Sequence, residues 1–309
     1  MRLAALTTGA GVPDGDFAGK VEEIHARACL IAVSDGTLAT LATAELGSLP
    51  RGITFDAPAG FSFIPLLAVG AAVAVRGGVL RIAGGALAID LRRTRPWRCG
   101  FDALRLDLGR APTRRAWRAA WSILCQDGRA NGLLRIAGAA MHELAAATRR
   151  RDVVAAHGAM SRLVGLGEGR TPAGDDYLVG YFAALRACGG MEPRAVFVPD
   201  LGRRLKELAA RTDRVSRLYL DAAADGQVSE RLCVVAAGIA AGCDDPEIGR
   251  AVTAALAVGH SSGACGVLGL LHGCIACSVH ACAEAGLAAP ASAFSSRSPT
   301  ARQIAPSSA

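Results

Sequence analysis

The chain has 309 residues, of which 51% are apolar, 20% charged and 5% aromatic. This composition is too apolar for a disordered protein, and the length is sufficient for two domains, because single domains commonly hold ~100–200 residues. The net charge is +7, but the basic residues are spread along the whole chain. A nucleic-acid-binding protein should concentrate basic groups on one face beside aromatic side chains, so the composition argues against nucleic acid as a partner.

The N-terminal segment and the cysteines both favour a cytoplasmic protein. Residues 1–19 lack the basic start, apolar core and small-residue cleavage site that a secretory signal combines. The ten cysteines lie mostly within apolar runs, which predicts reduced, buried thiols rather than a disulfide framework. Cys274 and Cys277 form a single close pair beside His272, and without a second pair this pattern does not indicate a zinc site.

A long uncharged stretch raises the question of a membrane span. No Asp, Glu, Lys or Arg lies between Arg250 and Glu284, and a bilayer-spanning helix needs ~20 mainly apolar residues. The stretch also contains three histidines and several serines, and its apolar residues are mainly Ala, Gly, Cys and Val. Membrane helices are richer in Leu, Ile and Phe, so we predict a buried helix of a soluble protein and no contact with a membrane.

Short β-branched runs separated by glycine predict a β-rich domain over residues 1–110. Residues 29–41 contain two such runs around the Ser-Asp-Gly turn at 34–36, which is a hairpin signal. Residues 71–91 contain three runs separated by Gly-Gly pairs, and this pattern favours an antiparallel meander. We therefore predict a small antiparallel sheet or a partly closed barrel.

After Pro112 the apolar residues recur at helical spacing, which predicts a mostly α-helical domain over residues 111–289. Thr113 is a candidate N-cap of the first helix, and Trp117 lies on its apolar face. The fold class is thus α+β, and the Pro-, Ser- and Ala-rich residues 290–309 are expected to form a disordered tail. Further helices are predicted near residues 131–148, 152–164, 175–188, 200–211, 214–225, 228–242, 246–258 and 263–286.

Residues 165–176, which read GLGEGRTPAGDD, carry the strongest functional signal. Alternating glycines allow backbone N–H groups to approach a ligand, and a glycine-rich loop that leads into a helix N-terminus can hold an anion. The Gly-Lys-Ser/Thr ending of a Walker loop is missing. Asp175 and Asp176 could cap N–H groups at the helix start; alternatively, they could hold a divalent metal or a substrate NH group.

Residues 259–263, which read GHSSG, open the uncharged stretch, and one of the two serines is a candidate N-cap. His260 either forms a structural hydrogen bond at the helix entrance or acts as a general acid or ligand-orienting donor beside an anion. A weaker pattern is formed by Thr212 and Ser216, which share a helical face if a helix begins there. Thr212 could instead be an N-cap.

Together, the two glycine motifs resemble those of the AllH family, also labelled DUF2877, which includes the AllH subunit of oxamate carbamoyltransferase. In that family the loop commonly reads Gly-x-Gly-Pro-Gly-x-Thr-Pro-Ser-Gly-Asp-Asp, and a Gly-His-Thr/Ser-Ser-Gly motif begins a late helix. Residues 165–176 and 259–263 match these motifs, and the β-rich start matches the general layout. The chain departs from the pattern at Glu168, where Pro is common, and at Ala173, where Ser is usual. It also departs after Gly263, where many members carry a polar or acidic residue.

The resemblance implies a cytoplasmic subunit that works with an FdrA-like subunit and a DUF1116-type subunit. The reaction would interconvert a ureido acid, such as oxalurate, plus phosphate with carbamoyl phosphate plus an amide or amine, as a step of purine or ureide catabolism. The alternative is a non-catalytic subunit whose loop binds a ligand or docks a partner. No cofactor is certain from the resemblance, and any divalent cation would be held by Asp175 and Asp176.

For this reaction, backbone N–H groups of the glycine loop would hold phosphate or carboxylate. His260 and Ser262 would bind the developing oxyanion or protonate the leaving nitrogen, and Asp175 and Asp176 would orient substrate NH groups. The candidate catalytic residues are therefore His260, Ser262, Asp175 and Asp176, and the candidate substrate- and phosphate-binding residues are Gly167, Gly169, Thr171, Gly174, Ser261, Gly263, Thr212 and Ser216.

Overall fold

In the computed structural model, which describes residues 1–84, 87–188 and 194–278, the first part of the chain folds into a nine-stranded sheet. Each strand is short, as the frequent glycines and turn residues predict. The strands are β1 (Arg2–Gly9), β2 (Phe17–Ile24), β3 (Ala28–Val33), β4 (Leu38–Thr43), β5 (Gly52–Phe55), β6 (Ala72–Arg76), β7 (Val79–Ile82), β8 (Ala88–Asp90) and β9 (Arg95–Trp97).

Pairing between β1 and β5 closes eight of these strands into a barrel. The order along the sheet is β5-β4-β3-β2-β6-β7-β8-β1-β9, and the additional β1–β5 pair places Thr7 opposite Thr54. Apolar side chains such as Ile31, Leu41 and Phe55 fill the interior. Closure satisfies backbone groups that an open sheet would leave at its edges. The predicted β-rich start, given as a sheet or partly closed barrel, is confirmed.

The strand pairs that the sequence predicted are antiparallel, as expected. They are the β3–β4 hairpin and the β6–β7–β8 meander. Three other pairs, β4–β5, β1–β8 and β1–β9, are parallel. Parallel strands are not joined by a hairpin turn, so no turn signal in the sequence indicates these pairs.

Nine helices follow in the part of the chain that the structure describes. The first begins at Ala111 with Arg110 at its N-cap position, so the prediction of Thr113 as N-cap was wrong. Thr113 is buried one turn inside, with its hydroxyl 3.4 Å from the Ala240 carbonyl oxygen. The helices are α1 (Ala111–Asp127), α2 (Asn131–Arg150), α3 (Val153–Ser161), α4 (Ala173–Cys188), α5 (Arg194–Ala209), α6 (Arg214–Ala224), α7 (Glu230–Ala241), α8 (Asp245–Leu256) and α9 (Ser262–Cys277).

The helices agree with the predicted segments, with differences at their ends. Helix α5 begins at Arg194 rather than near residue 200, because Pro199 is accommodated inside the helix instead of marking its start. The last part of the predicted helix 263–286 and the predicted tail at 290–309 lie outside the described residues. The α+β class is confirmed.

Helices α4 and α9 pack directly against each other at the centre of the helical part. An added Cβ at Gly180 would overlap the carbonyl oxygen of Gly266, and one at Gly269 would overlap the carbonyl oxygen of Tyr177. Glycine therefore permits this close backbone approach. Burial of α9 against its neighbours accounts for the absence of charged residues along it. Among the described residues, no helix combines the length and the apolar character needed to cross a bilayer.

One pair of cysteines contradicts the prediction of reduced thiols. Cys99, which follows β9, and Cys233, in α7, are joined by a disulfide with their Cα atoms 6.4 Å apart. The two residues are separated by 134 positions, so local spacing contains no sign of the pair. Cys274 and Cys277 are buried in α9, as expected.

The barrel contacts the helical part through helices α6 and α7. Leu30 and Leu38 of the barrel pack with Val215 of α6. At the start of α7, the Glu230 N–H donates to the Ser48 carbonyl oxygen over 2.8 Å, and its carboxylate accepts from the Ser48 N–H. Apolar and polar contacts therefore place the barrel beside the first turns of both helices.

Candidate functional site

The two glycine motifs, far apart in sequence, meet at the N-termini of α4 and α9. The hydroxyl groups of Thr171, at the end of the first motif, and Ser262, in the second, lie 3.0 Å apart and are hydrogen-bonded. This contact follows from the packing of α4 against α9, which aligns the starts of the two helices. Thr171 and Ser262, both predicted site residues, are thus brought together.

The glycine loop has a backbone conformation that requires its glycines. Gly165, Gly167 and Gly169 have φ angles of +75°, +121° and +83°, which side chains rarely tolerate. The N–H groups of residues 167–171 and 173 form no hydrogen bond with the described part of the chain. A set of unpaired donors at a helix N-terminus suits a bound anion.

Gly174 does not belong to this set of free donors. Its N–H donates to the Leu166 carbonyl oxygen over 2.8 Å, and a Cβ there would overlap the carbonyl oxygen of Leu163. Gly174 therefore serves packing. Its N–H is used in an internal hydrogen bond and does not point to an anion, contrary to the prediction from the sequence.

The start of α9 provides a second set of free donors. The N–H groups of residues 259–262 and 264 have no partner within the described ranges, whereas the Gly263 N–H donates to the Val258 carbonyl oxygen over 3.0 Å. A Cβ at Gly263 would overlap the carbonyl oxygen of Ala255, so this glycine also serves packing. Ser261 occupies the N-cap position, but its side chain accepts no capping hydrogen bond.

His260 lies at the exposed edge of the site. Its carbonyl oxygen accepts from Arg129 over 3.0 Å, which fixes the backbone at this point. No described residue hydrogen-bonds to the imidazole, so the structural hydrogen bond considered for this residue is not observed. The ring is free to contact a ligand or a partner protein.

Asp175 is a buried carboxylate with a full set of hydrogen bonds. Its Oδ1 accepts from the Gly165 N–H over 2.8 Å, and its Oδ2 accepts from the hydroxyls of Thr212 and Ser216 over 2.5 and 2.7 Å. Only 1% of Asp175 is exposed. The residue therefore ties the start of the glycine loop to α6, and the predicted binding residues Thr212 and Ser216 contact Asp175 in this arrangement.

The alternative of an N-cap at Thr212 is wrong. Asp213 caps α6 instead, because its carboxylate accepts from the Val215 N–H over 2.8 Å. This leaves the Thr212 hydroxyl available for Asp175. Thr212 precedes α6 and therefore does not share a helical face with Ser216, but both hydroxyls donate to the same Asp175 oxygen.

Asp176 differs sharply from its neighbour. Its Oδ2 atom is buried and has no hydrogen-bond partner. Burial raises the pKa of Asp176 to about 8; the Ser262 hydroxyl lowers this pKa in part, and the charge of Asp175 raises it. At neutral pH the Asp176 carboxyl group is therefore mainly protonated.

Arg170, which the sequence reasoning missed, connects the glycine loop to the barrel. Its guanidinium lies 3.0 Å from Glu22 and 2.9 Å from Glu23, both on β2, and 3.4 Å from Asp213 at the start of α6. Arg170 is the one cationic residue of the 165–176 motif, and that was the available signal. Its position makes the loop conformation dependent on the barrel.

The aspartate pair does not fit a divalent cation. The Asp175 oxygens accept from one N–H and two O–H groups, and these donors occupy the directions that a metal would need. Among the described residues there is no group of three or more His, Cys, Asp or Glu placed to hold a metal. We derive no step through a metal.

Comparison with known families covers both halves of the chain. Residues 163–274 match the model of the oxamate carbamoyltransferase subunit AllH, and residues 5–96 match the model of the AllH family N-terminal domain. The chain belongs to the AllH family. Both glycine motifs lie within the first match, so the resemblance seen in the motifs is confirmed. The family name denotes a subunit, and hence a multi-subunit complex. No curated protein and no solved structure matches the chain.

Proposed function

We propose that this AllH-family chain supplies the anion- and oxyanion-binding part of a carbamoyltransferase site, at the paired N-termini of α4 and α9. The observation that carries the proposal is the Thr171–Ser262 hydrogen bond of 3.0 Å, which holds two sets of free N–H groups together. Helix N-termini carry partial positive charge and stabilise anions. Two such termini side by side suit a reaction with an anionic substrate and a second anionic reactant.

The reaction we propose is phosphorolysis of a ureido acid such as oxalurate. Phosphate oxygen attacks the terminal carbamoyl carbon, the bond from this carbon to the internal nitrogen breaks, and that nitrogen takes up a proton. The products are carbamoyl phosphate and oxamate. Negative charge develops on the carbamoyl oxygen during the attack, so preorganised N–H donors lower the barrier.

The two aspartates are compatible with bound anions in this arrangement. The charge of Asp175 is offset by three hydrogen-bond donors and is directed toward α6. Asp176 is mainly neutral at pH 7 because of its burial. The electrostatic repulsion that two adjacent carboxylates would exert on phosphate is therefore much reduced.

The side chains around the free N–H groups have distinct roles in the proposal. One hydroxyl of the Thr171–Ser262 pair donates to the other, and the hydroxyl that accepts this bond donates to the anionic reactant. His260 protonates or orients the leaving nitrogen from the exposed edge. Because the imidazole is exposed, we expect a partner subunit to cover it. An FdrA-like and a DUF1116-type subunit are the expected partners, in a cytoplasmic complex.

The test is carbamoyl phosphate formation by the assembled complex. The chain is co-expressed with the FdrA-like and DUF1116-type subunits, and turnover of oxalurate and phosphate is measured for Ser262→Ala and His260→Ala. Loss of one transition-state donor typically costs ~10²–10³-fold in kcat. His142→Ala, at an exposed position on α2, and Ser122→Ala, on α1, are matched controls that should keep full turnover.

The alternative, a non-catalytic ligand-binding subunit, gives the opposite result. Complexes that assemble with Ser262→Ala or His260→Ala would then keep their turnover, and the catalytic proposal would be refuted. Assembly is checked by size-exclusion chromatography, so that loss of activity is not confused with loss of the complex.

A further inference from the structure

We propose that the carboxyl group of Asp176 is the subsite for the uncharged carbamoyl or primary amide group of the substrate, which it binds as a carboxylic acid through a pair of hydrogen bonds. The inference deepens the proposed function and rests on it for the substrate class. It separates the site into two parts: backbone N–H groups for anions, and one neutral acid for the amide.

The Asp176 carboxyl group has an oxygen whose hydrogen-bonding capacity is unused. Its buried Oδ2 has no partner in the described part of the chain, and a buried polar atom without a partner is costly. Ser262 is close enough to interact with this carboxyl group and is itself hydrogen-bonded to Thr171. The unsatisfied oxygen therefore lies beside the donors that we assign to the anion.

Burial and the charge of Asp175 raise the pKa of this carboxyl group, and the groups that face it from neighbouring elements bring no positive charge. On its own helix the nearest charge is the negative Asp175. From α9 it faces Cys265, whose pKa burial and the charge of Asp176 raise to about 12. From α6 it faces Tyr219, whose pKa is raised by burial, lowered in part by Thr40 and raised further by Asp176. None of these groups is a cation that could stabilise a carboxylate.

Tyr219 connects this subsite to the barrel. Its hydroxyl interacts with Thr40 on β4, and its ring packs beside Leu30 and Leu38. The sequence reasoning did not select Tyr219, because a tyrosine on an amphipathic helix usually belongs to a packing face. We therefore expect Tyr219 to act as a positioning residue that limits the space around the Asp176 carboxyl group.

The chemistry of a carboxylic acid matches that of a primary amide. The acid offers one O–H donor and one C=O acceptor on the same edge, and the amide offers one C=O acceptor and one N–H donor. The two groups can therefore form two parallel hydrogen bonds. A carboxylate has acceptors only and would face the amide oxygen with like partial charge, so binding should fail once Asp176 ionises.

The experiment compares two probes of similar size by calorimetry, using the full chain in its co-purified complex. Oxamate carries a primary amide, whereas oxalate has a carboxylate in its place. We expect the wild-type complex to bind oxamate at least ~10-fold more tightly than oxalate at pH 7, since the amide forms two hydrogen bonds with the acid, whereas a carboxylate accepts from the acid O–H but has no donor for its C=O. Above pH ~8 the Kd for oxamate should rise about tenfold per pH unit, because each unit removes that share of the protonated form.

Variants separate protonation from packing. Asp176→Asn keeps a neutral donor and acceptor, so it should bind oxamate within ~3-fold of wild type at pH 7 and lose the alkaline weakening. Asp176→Ala should weaken oxamate binding ~10-fold or more, the scale of two lost hydrogen bonds. Asp225→Asn, at an exposed carboxylate that pairs with Lys206, is the matched control and should behave as wild type.

An infrared difference spectrum provides a readout that does not depend on activity. At pH 7 the wild-type spectrum should contain the carbonyl band of a buried protonated carboxyl group, and Asp176→Asn should lack it. Absence of this band overturns the inference, as does oxamate binding that is independent of pH in the wild type. Failure of oxamate to bind at any pH also overturns it.

The two proposals can fail separately. A complex that makes carbamoyl phosphate but binds oxamate equally at pH 7 and pH 9.5 refutes the amide subsite and supports the proposed function. A complex that binds oxamate with the expected pH dependence but forms no carbamoyl phosphate supports the subsite and refutes the proposed reaction.

Discussion

Replacement of Asp176 by asparagine should stabilise the protein at neutral pH. In the unfolded chain this carboxyl group ionises near its model value of 3.8, whereas in the folded protein its pKa is about 8. Between these two values the folded state holds one proton more than the unfolded state. The free energy of unfolding therefore falls as pH rises through this window, by about 1.4 kcal/mol per pH unit. The stabilisation is complete below pH ~4 and is lost once the pH passes ~8.

The magnitude follows from the width of this window. At pH 7 about three of the four pH units between the two pKa values have been crossed. The unfolding free energy of the wild type is therefore up to about 4 kcal/mol lower than it would be with a side chain that never ionises. The asparagine amide leaves similar polar atoms buried without partners, so that desolvation cost is common to both proteins. We expect a net gain of about 2–4 kcal/mol for Asp176→Asn at pH 7. Asp225→Asn, at an exposed pair with Lys206, should change stability by less than about 1 kcal/mol.

The assay is urea denaturation of wild type and Asp176→Asn at pH 4.5, 6, 7 and 8.5, with circular dichroism as the signal. The difference in unfolding free energy should be small at the lowest pH, grow with pH and reach a plateau above pH ~8. A constant difference across this range would refute the reasoning, and so would a wild type that is more stable than the variant at pH 7. If Asp176→Asn is more stable than the wild type and its oxamate binding no longer weakens at alkaline pH, then Asp176 lowers stability while it provides the chemistry of the site.

Three further predictions concern packing and cross-links. Gly269→Ala would force a Cβ against a carbonyl oxygen of α4 and should lower the unfolding free energy by about 3 kcal/mol or more. Gly138 has open space around its helix position, so Gly138→Ala should raise the unfolding free energy by up to about 1 kcal/mol. Thermal denaturation measures both variants. Cys99→Ser with Cys233→Ser should cost about 3–5 kcal/mol, since the disulfide closes a long loop, and an unchanged Tm under reducing conditions would contradict this. Asp175→Ala should leave one N–H and two hydroxyls without an acceptor, cost about 3 kcal/mol or more, and speed hydrogen exchange of the Gly165 and Leu166 N–H groups; exchange as slow as in wild type would argue against the anchoring role.

Much of the local structure could be predicted because it depends on local signals. The hairpin around residues 34–36 follows from turn chemistry, and the helices follow from the spacing of apolar residues. The parallel pairs β4–β5 and β1–β8, and the closure of the barrel by β1 and β5, could not be predicted. The pairs of β1 join strands that are distant in sequence, and β4 and β5, although consecutive, are joined by residues 44–51 without a hairpin turn.

The candidate site shows the same division. Its residue types and glycine spacing identified both motifs, and the family match supports that reading. The roles of individual residues were harder to predict from the sequence. Gly174 and Gly263 read as anion-binding positions but serve close packing, and Arg170 was overlooked although it connects the loop to the barrel. Such roles depend on which backbone or side chain lies nearby, and sequence spacing contains no such information.

The sequence by itself determined the order of elements, the two glycine motifs and the AllH resemblance, because each of these depends on residues that are close along the chain. Only the tertiary structure decided how two adjacent aspartates differ. Asp175 meets three donors, one N–H and two hydroxyls, whereas the buried Oδ2 of Asp176 has no partner. Both have the same chemistry in the sequence; the packing of α4 against α6 and α9 determines that Asp175 meets donors and that Asp176 stays protonated at neutral pH.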